Sequence, residues 1–142
     1  MSETREVTVS QEVMLRVNVY SGGDDTVVML PGAGWGAAAL CDIPRRVAAA
    51  GYRTVAVNPR GAAGSTGPVE GVSLHDLAAD VALLVEALGL SPVHILGHAG
   101  GNRVARCLAS DRPLPRAGHG LVVEQPDAVT QAILNWLREY AR

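Results

Sequence analysis

The 142-residue chain has no phenylalanine and only two cysteines, Cys41 and Cys107. Without phenylalanine the core is left to Ala, Val and Leu, the usual composition of a parallel sheet covered by helices. Two cysteines make no disulfide framework, and both are expected in apolar helical surroundings. No apolar run is long enough to span a bilayer, and the polar opening MSETREVTVS has no signal-type apolar stretch, so a cytoplasmic location is expected. A net charge of −2 gives no basis for a nucleic-acid or membrane partner. Arg103, Arg106, Arg112 and Arg116 form a loose basic run that a solvated helix face explains. The glycine-rich loops lack a following G-K-[ST], and Gly32 and Gly34 are followed by Ala37 rather than the third glycine of a dinucleotide fingerprint. No cofactor is therefore expected. No pair of His, Cys or carboxylate residues stands at a metal-ligand spacing, so no metal is expected either.

Hydrophobic residues make up 48% of the chain, which excludes disorder and fits one domain over 1–142. Val7 and Val9, then Val13, Leu15, Val17 and Val19, alternate with polar residues and predict an edge hairpin. Thr26 to Leu30 is a short, continuously apolar run suited to the middle of a sheet, and Arg53 to Val57 and Val93 to Leu96 read as further buried strands. Between them the spacing predicts a helix from about Ile43 to Ala50, with Asp42 as N-cap and Gly51 past its end. A second helix starts at Ser73, with Asp76 completing a capping box and Gly89 as the stop. A third runs from Gly100 to about Ser110. Residues 1–113 thus form the sheet half of a three-layer αβα domain, with about five mostly parallel strands and an N-terminal antiparallel hairpin. Residues 114–142 add a loop, Ala117-Gly118-His119-Gly120, that presents a histidine. A last helix from Pro126 to about Ala141 follows, with Val129, Ile133, Trp136, Leu137 and Tyr140 on one face.

Loops after Leu30, Val57 and Leu96 all fall at the carboxyl edge of the strands, where such sheets bind ligands. The third, Gly97-His98-Ala99-Gly100-Gly101, has the glycine spacing of the nucleophile elbow G-x-S-x-G, with alanine where the nucleophile belongs. Together with LPGAGWG, NPRGAAGSTG and AGHG, in that order around the strands, these residues resemble the α/β-hydrolase superfamily, specifically its ester-hydrolase type. The resemblance covers nearly the whole chain in two blocks, Val7 to about Pro113 and Ala117 to Arg142. It implies His119 as general base, Ala99 at the nucleophile position, and an oxyanion hole from the backbone N–H of Gly100 with that of Ala33 or Gly34. His98, Trp35 and Ser65 complete the candidate substrate-binding set, each beside a plainer reading. In this family His98 points back into the turn; Trp35 caps the core or walls a small apolar pocket; Ser65 bonds its own backbone or stands in as a nucleophile.

Two departures from the family pattern bear on function. A methyl group cannot attack a carbonyl, and the catalytic acid is missing with the region that carries it. Between Ala99 and His119 the one acidic residue is Asp111, at the end of a helix that descends about 18 Å from the active edge. No lid remains, and loss of the later strands is expected to leave Val93–Leu96 as an open sheet edge. Edge pairing, or a swap of 117–142, makes a homodimer the expected state. Three readings stay open: an internally shortened hydrolase with weak or lost action on small esters, a non-catalytic ligand-binding or interaction scaffold, and a sheet half retained because it still folds.

Overall fold

The computed structural model describes residues 2–32, 34–111, 117–120 and 126–140. Chain order is β1 (Ser2–Thr8), β2 (Met14–Tyr20), β3 (Thr26–Leu30), a 3₁₀ turn (Ala37–Leu40), α1 (Ile43–Ala49), β4 (Arg53–Val57), α2 (Leu74–Leu88), β5 (Val93–Gly97), α3 (Gly100–Asp111), β6 (Ala117–Gly120) and α4 (Pro126–Tyr140). The strands form one sheet in the order β1-β2-β4-β3-β5-β6. β1 and β2 are antiparallel to each other, and β2 is antiparallel to β4; β4, β3, β5 and β6 run parallel.

Burial explains why these segments become strands. In β2 buried and half-buried residues alternate, as a strand with one covered face requires. β3 and β5 are buried at every position, so their residues serve two cores at once. Val28, Leu30, Val55, Val57, Val93 and Ile95 face α2 and α3; Val27, Met29, Ala56 and Leu96 face α1 and α4. On α4, Ile133, Leu134 and Leu137 are buried, and Leu137 is fully so. Helix α2 begins with the expected capping box: Ser73 and Asp76 each accept from the other's backbone N–H. It ends at Gly89 in the left-handed conformation, φ +63°.

The chain steps from β3 to β4 on one side and then crosses to β5 on the other. The connections leaving β3 and β5 therefore depart to opposite faces, and a crevice opens between their carboxyl ends. The loop after β3 and the elbow lie at that crevice.

Several expectations are corrected. Residues 117–120 are a strand rather than a loop, paired in parallel with β5. β5 is consequently covered by its own chain, and the open edge on which a homodimer was expected is not at Val93–Leu96. Asp42 makes no side-chain cap to α1; its carboxylate instead accepts from Arg46 Nε at 2.9 Å and Arg45 Nη2 at 3.3 Å. Cys41 is exposed, while Cys107 is half-buried in α3. No described helix is long and apolar enough to cross a membrane.

Candidate active site

The turn from β5 into α3 is packed so closely that two of its positions admit only glycine. A Cβ on Gly97 would lie 2.3 Å from the Gly101 carbonyl, and one on Gly101 would lie 2.4 Å from the Leu30 carbonyl oxygen. These contacts are backbone to backbone, so no side-chain movement relieves them. Ala99, at the apex, sits at φ +50°. That conformation costs an L-residue about 1–2 kcal/mol and is the strained geometry of a nucleophile elbow. His98 N–H donates to Leu30 O at 2.9 Å, tying the turn to the end of β3.

The first N–H groups of a helix have no acceptor within it. In α3 two of them are taken by the turn: Gly101 N–H donates to His98 O at 2.7 Å and Asn102 N–H to Ala99 O at 3.0 Å. For Gly100 N–H no backbone acceptor is found among the described residues. The facing loop is held by Trp35 N–H donating to Gly32 O at 3.1 Å, with Gly34 left-handed at φ +77°. Gly32 marks the meeting point. A Cβ there would lie 3.4 Å from Trp35 Cδ1, 3.7 Å from Ala99 Cβ and 3.8 Å from His98 Nδ1. The fold thus brings Trp35, His98, Ala99 and Gly32 of the loop after β3 together. Ala33 lies outside the described residues.

Beside this point is a cleft of about 190 Å³ lined by Leu30, Gly32, Gly34, Leu77, Gly100 and Val104. Arg60 and Asp80 also reach it, bonded to each other by a bidentate pair, Nε to Oδ2 and Nη2 to Oδ1, both 2.8 Å. Both side chains are about nine-tenths buried, and the hydrogen bond to Asp80 raises the Arg60 pKa above its ordinary value. Trp35 is 65% exposed and rims the loop rather than capping the core.

Ser65 is corrected as a substrate-binding or substitute nucleophilic residue. Its hydroxyl is buried, donates to Asn58 O at 2.6 Å and accepts from Arg16 N–H at 2.8 Å. Asn58, which the sequence reading passed over, anchors the same region. Its Oδ1 accepts from Ala37 N–H at 2.7 Å and its Nδ2 donates to Arg16 O at 2.8 Å. One buried amide thus ties the loop after β3, the loop after β4 and β2 together.

The backbone of His119 stands opposite Ile95 in the β5–β6 register. Ile95 is four positions before Ala99, so at strand rise this level is about 10–13 Å behind the apex. Asp111 is engaged elsewhere, with His75 and Cys107. The donor atoms of those three residues all lie within 4.8 Å of one another, a grouping that no spacing in the sequence suggests.

The elbow turn, the glycine-containing loop packed against it and a small cleft beside them point to the class. The family model of the α/β hydrolase fold matches residues 25–134, and the chain belongs to that family. Among curated relatives, it is 36% identical over 106 residues to 2-hydroxy-6-oxononadienedioate/2-hydroxy-6-oxononatrienedioate hydrolase 1 of Dechloromonas aromatica (strain RCB), covering 72% of this chain and 37% of that protein. Among solved structures, it is similar to an epoxide hydrolase from Vigna radiata, with TM-score 0.72 and 25% identity over 79% of this chain and 36% of that one. A proline iminopeptidase-related protein of Thermus thermophilus gives TM-score 0.72 and 26% identity over 85% of this chain and 44% of that one. The chain spans little more than a third of the length of the curated relatives it matches.

Proposed function

We propose that the chain holds a small carbonyl compound of the ester class at a hydrolase-type site that performs no covalent catalysis, with hydrolysis weak or lost. The observation that carries this reading is Ala99: the strained apex and both glycines around it are kept, and within the elbow only the nucleophilic group is missing. Gly100 N–H and the loop of Gly32 and Gly34 supply polar backbone against the carbonyl, while Leu30, Leu77 and Val104 supply the apolar wall.

An oxyanion-hole donor is worth about 10²–10³ in rate when a nucleophile is present to generate the charge. Without one, hydrolysis depends on direct attack by water, which general-base help from His119 would raise by about 10²–10⁴. The His119 backbone lies at the level of Ile95 rather than of the apex, which favours the ligand-holding reading over a residual hydrolase.

The test is turnover of p-nitrophenyl acetate by the chain and its Ala99→Ser and Ala99→Ser/His119→Ala variants, with butyrate binding followed by amide NMR shifts. Expected are ester hydrolysis near the buffer rate in all three and butyrate-dependent shifts at Gly34 and Gly100. A gain of about 10²-fold or more in Ala99→Ser that His119→Ala removes would overturn the reading and show a hydrolase lacking one hydroxyl. Absence of shifts at Gly34 and Gly100 would remove the ligand-holding role.

A further inference from the structure

We propose that His75, Cys107 and Asp111 form a binding site for a divalent transition metal of the zinc class, linking α2 to α3. Cys107 and Asp111 are four residues apart on α3 and so share one face of it, while His75 comes from the first turn of α2. Cys107 Sγ lies 3.3 Å from His75 Nδ1 and 3.3 Å from Asp111 Oδ2. His75 Nδ1 is itself hydrogen-bonded to Asp111 Oδ2.

A thiol, an imidazole and a carboxylate in one cluster also suggest a nucleophilic triad, but the connectivity excludes it. In a triad the nucleophile and the acid occupy opposite nitrogens of the ring. Here sulfur and carboxylate converge on the same one, Nδ1. Convergence on one point is what a metal requires. A tetrahedral zinc ion with Zn–S of about 2.3 Å and Zn–N and Zn–O of about 2.0–2.1 Å sets its ligand atoms about 3.3–3.6 Å apart. The two edges from sulfur lie at the lower end of that range, and the third, now the hydrogen bond between His75 Nδ1 and Asp111 Oδ2, opens as the metal replaces the proton.

The mixed S, N, O donor set matches zinc and its neighbours rather than magnesium or calcium, which take oxygen ligands. Three protein donors leave a fourth position, and the 72% exposure of the His75 side chain gives it access to solvent. α3 carries the ligands at its far end, away from the elbow. His75 also sits next to Leu74 and near Leu77 in the cleft wall, so an ion here would fasten that wall to α3.

The site stands independently of any ligand in the cleft, and its test uses the untagged, chelator-treated chain with Co²⁺ or Zn²⁺ alone. One equivalent of Co²⁺ is expected to give the intense visible bands of a tetrahedral centre and a thiolate-to-cobalt charge-transfer band, both displaced by Zn²⁺. Cys107→Ser should remove the charge-transfer band and Cys41→Ser should leave it unchanged. His75→Ala and Asp111→Asn should each weaken binding beyond the about 10–100-fold typical of losing a ligand's outer partner. In the unsubstituted chain, Zn²⁺ should slow alkylation of Cys107 and not of Cys41, a readout that no folding defect can confuse. A weak octahedral spectrum, a charge-transfer band that survives Cys107→Ser, or alkylation of Cys107 indifferent to Zn²⁺ would each overturn the proposal.

Discussion

On the α2–α3 face of the sheet the largely buried guanidinium of Arg60 meets Asp80 through two 2.8 Å bonds, whereas on the α1–α4 face the imidazole of His94 is buried and neither ring nitrogen has a hydrogen-bond partner among the described residues. What His94 has instead is Trp136 of α4, edge-on, with ring centroids 5.8 Å apart. The first arrangement keeps two charges inside the protein by pairing them. The second keeps a titratable group inside by leaving it uncharged, since burial lowers the His94 pKa below its ordinary value. One face is therefore sensitive to losing a partner and the other to gaining a proton.

The largest effect should come from breaking the pair on one side only. Asp80→Ala leaves Arg60 buried without its carboxylate and should cost about 3–5 kcal/mol in urea unfolding. Replacing both residues together, as Arg60→Met with Asp80→Leu, should recover most of that loss, because two well-packed apolar side chains remove the uncompensated charge. A double variant as unstable as the single one would mean that the bond from Arg60 Nη1 to Pro68 O, 3.1 Å, holds the loop after β4 in its own right.

An intermediate effect is expected on the opposite face, as a pH dependence. His94 has a lower pKa in the folded chain than in the unfolded one, so the unfolded chain binds the proton more readily. Its stabilising contribution is fully present above the unfolded value, about 6.5, and is lost as the pH falls below it. His94→Phe should flatten this part of the stability–pH curve. An unchanged slope in that variant would place the titration on another group.

The smallest effect should separate the two helix starts. Ser73→Ala removes an observed capping box from α2 and should cost about 1 kcal/mol. Asp42→Ala removes no cap from α1, only exposed ion pairs to Arg45 and Arg46, and should cost less than about half of that. Thermal unfolding of the two variants side by side makes the comparison.

These contrasts also show which parts of the molecule were legible in one dimension. β3 and β4 were legible because each carries a compact run of apolar residues, Val27–Leu30 and Val55–Val57, that a strand buried in the middle of a sheet requires. Ser73, Asp76 and Gly89 mark α2 for a local reason, since each acts within a few residues of itself. The elbow was legible because its glycines are dictated by backbone contacts between positions close in sequence and by one strand neighbour. β6 was not, since Ala117-Gly118-His119-Gly120 has neither alternation nor an apolar run, and its strand conformation comes from pairing with β5. Arg60 and Asp80 are 20 residues apart, and His75 is 36 from Asp111, so no local pattern announces either association. Ser65 misled for a related reason. A hydroxyl in a glycine-rich loop looks available until the partners that occupy it are seen, Arg16 from β2 and Asn58 from the start of its own loop.

The chain's two tryptophans occupy opposite ends of this contrast. Trp35 stands in solvent beside Gly32, and the half-buried Trp136 lies against the imidazole of His94. Their emission consequently divides into two optical channels. Trp35 fluoresces from water, open to dissolved quenchers, and reports whatever settles next to the elbow. Trp136 is less open to those quenchers and has a ring beside it that becomes a quencher itself on protonation. A single emission spectrum, recorded with and without iodide, would therefore follow the cleft and the opposite core separately, without a label on either.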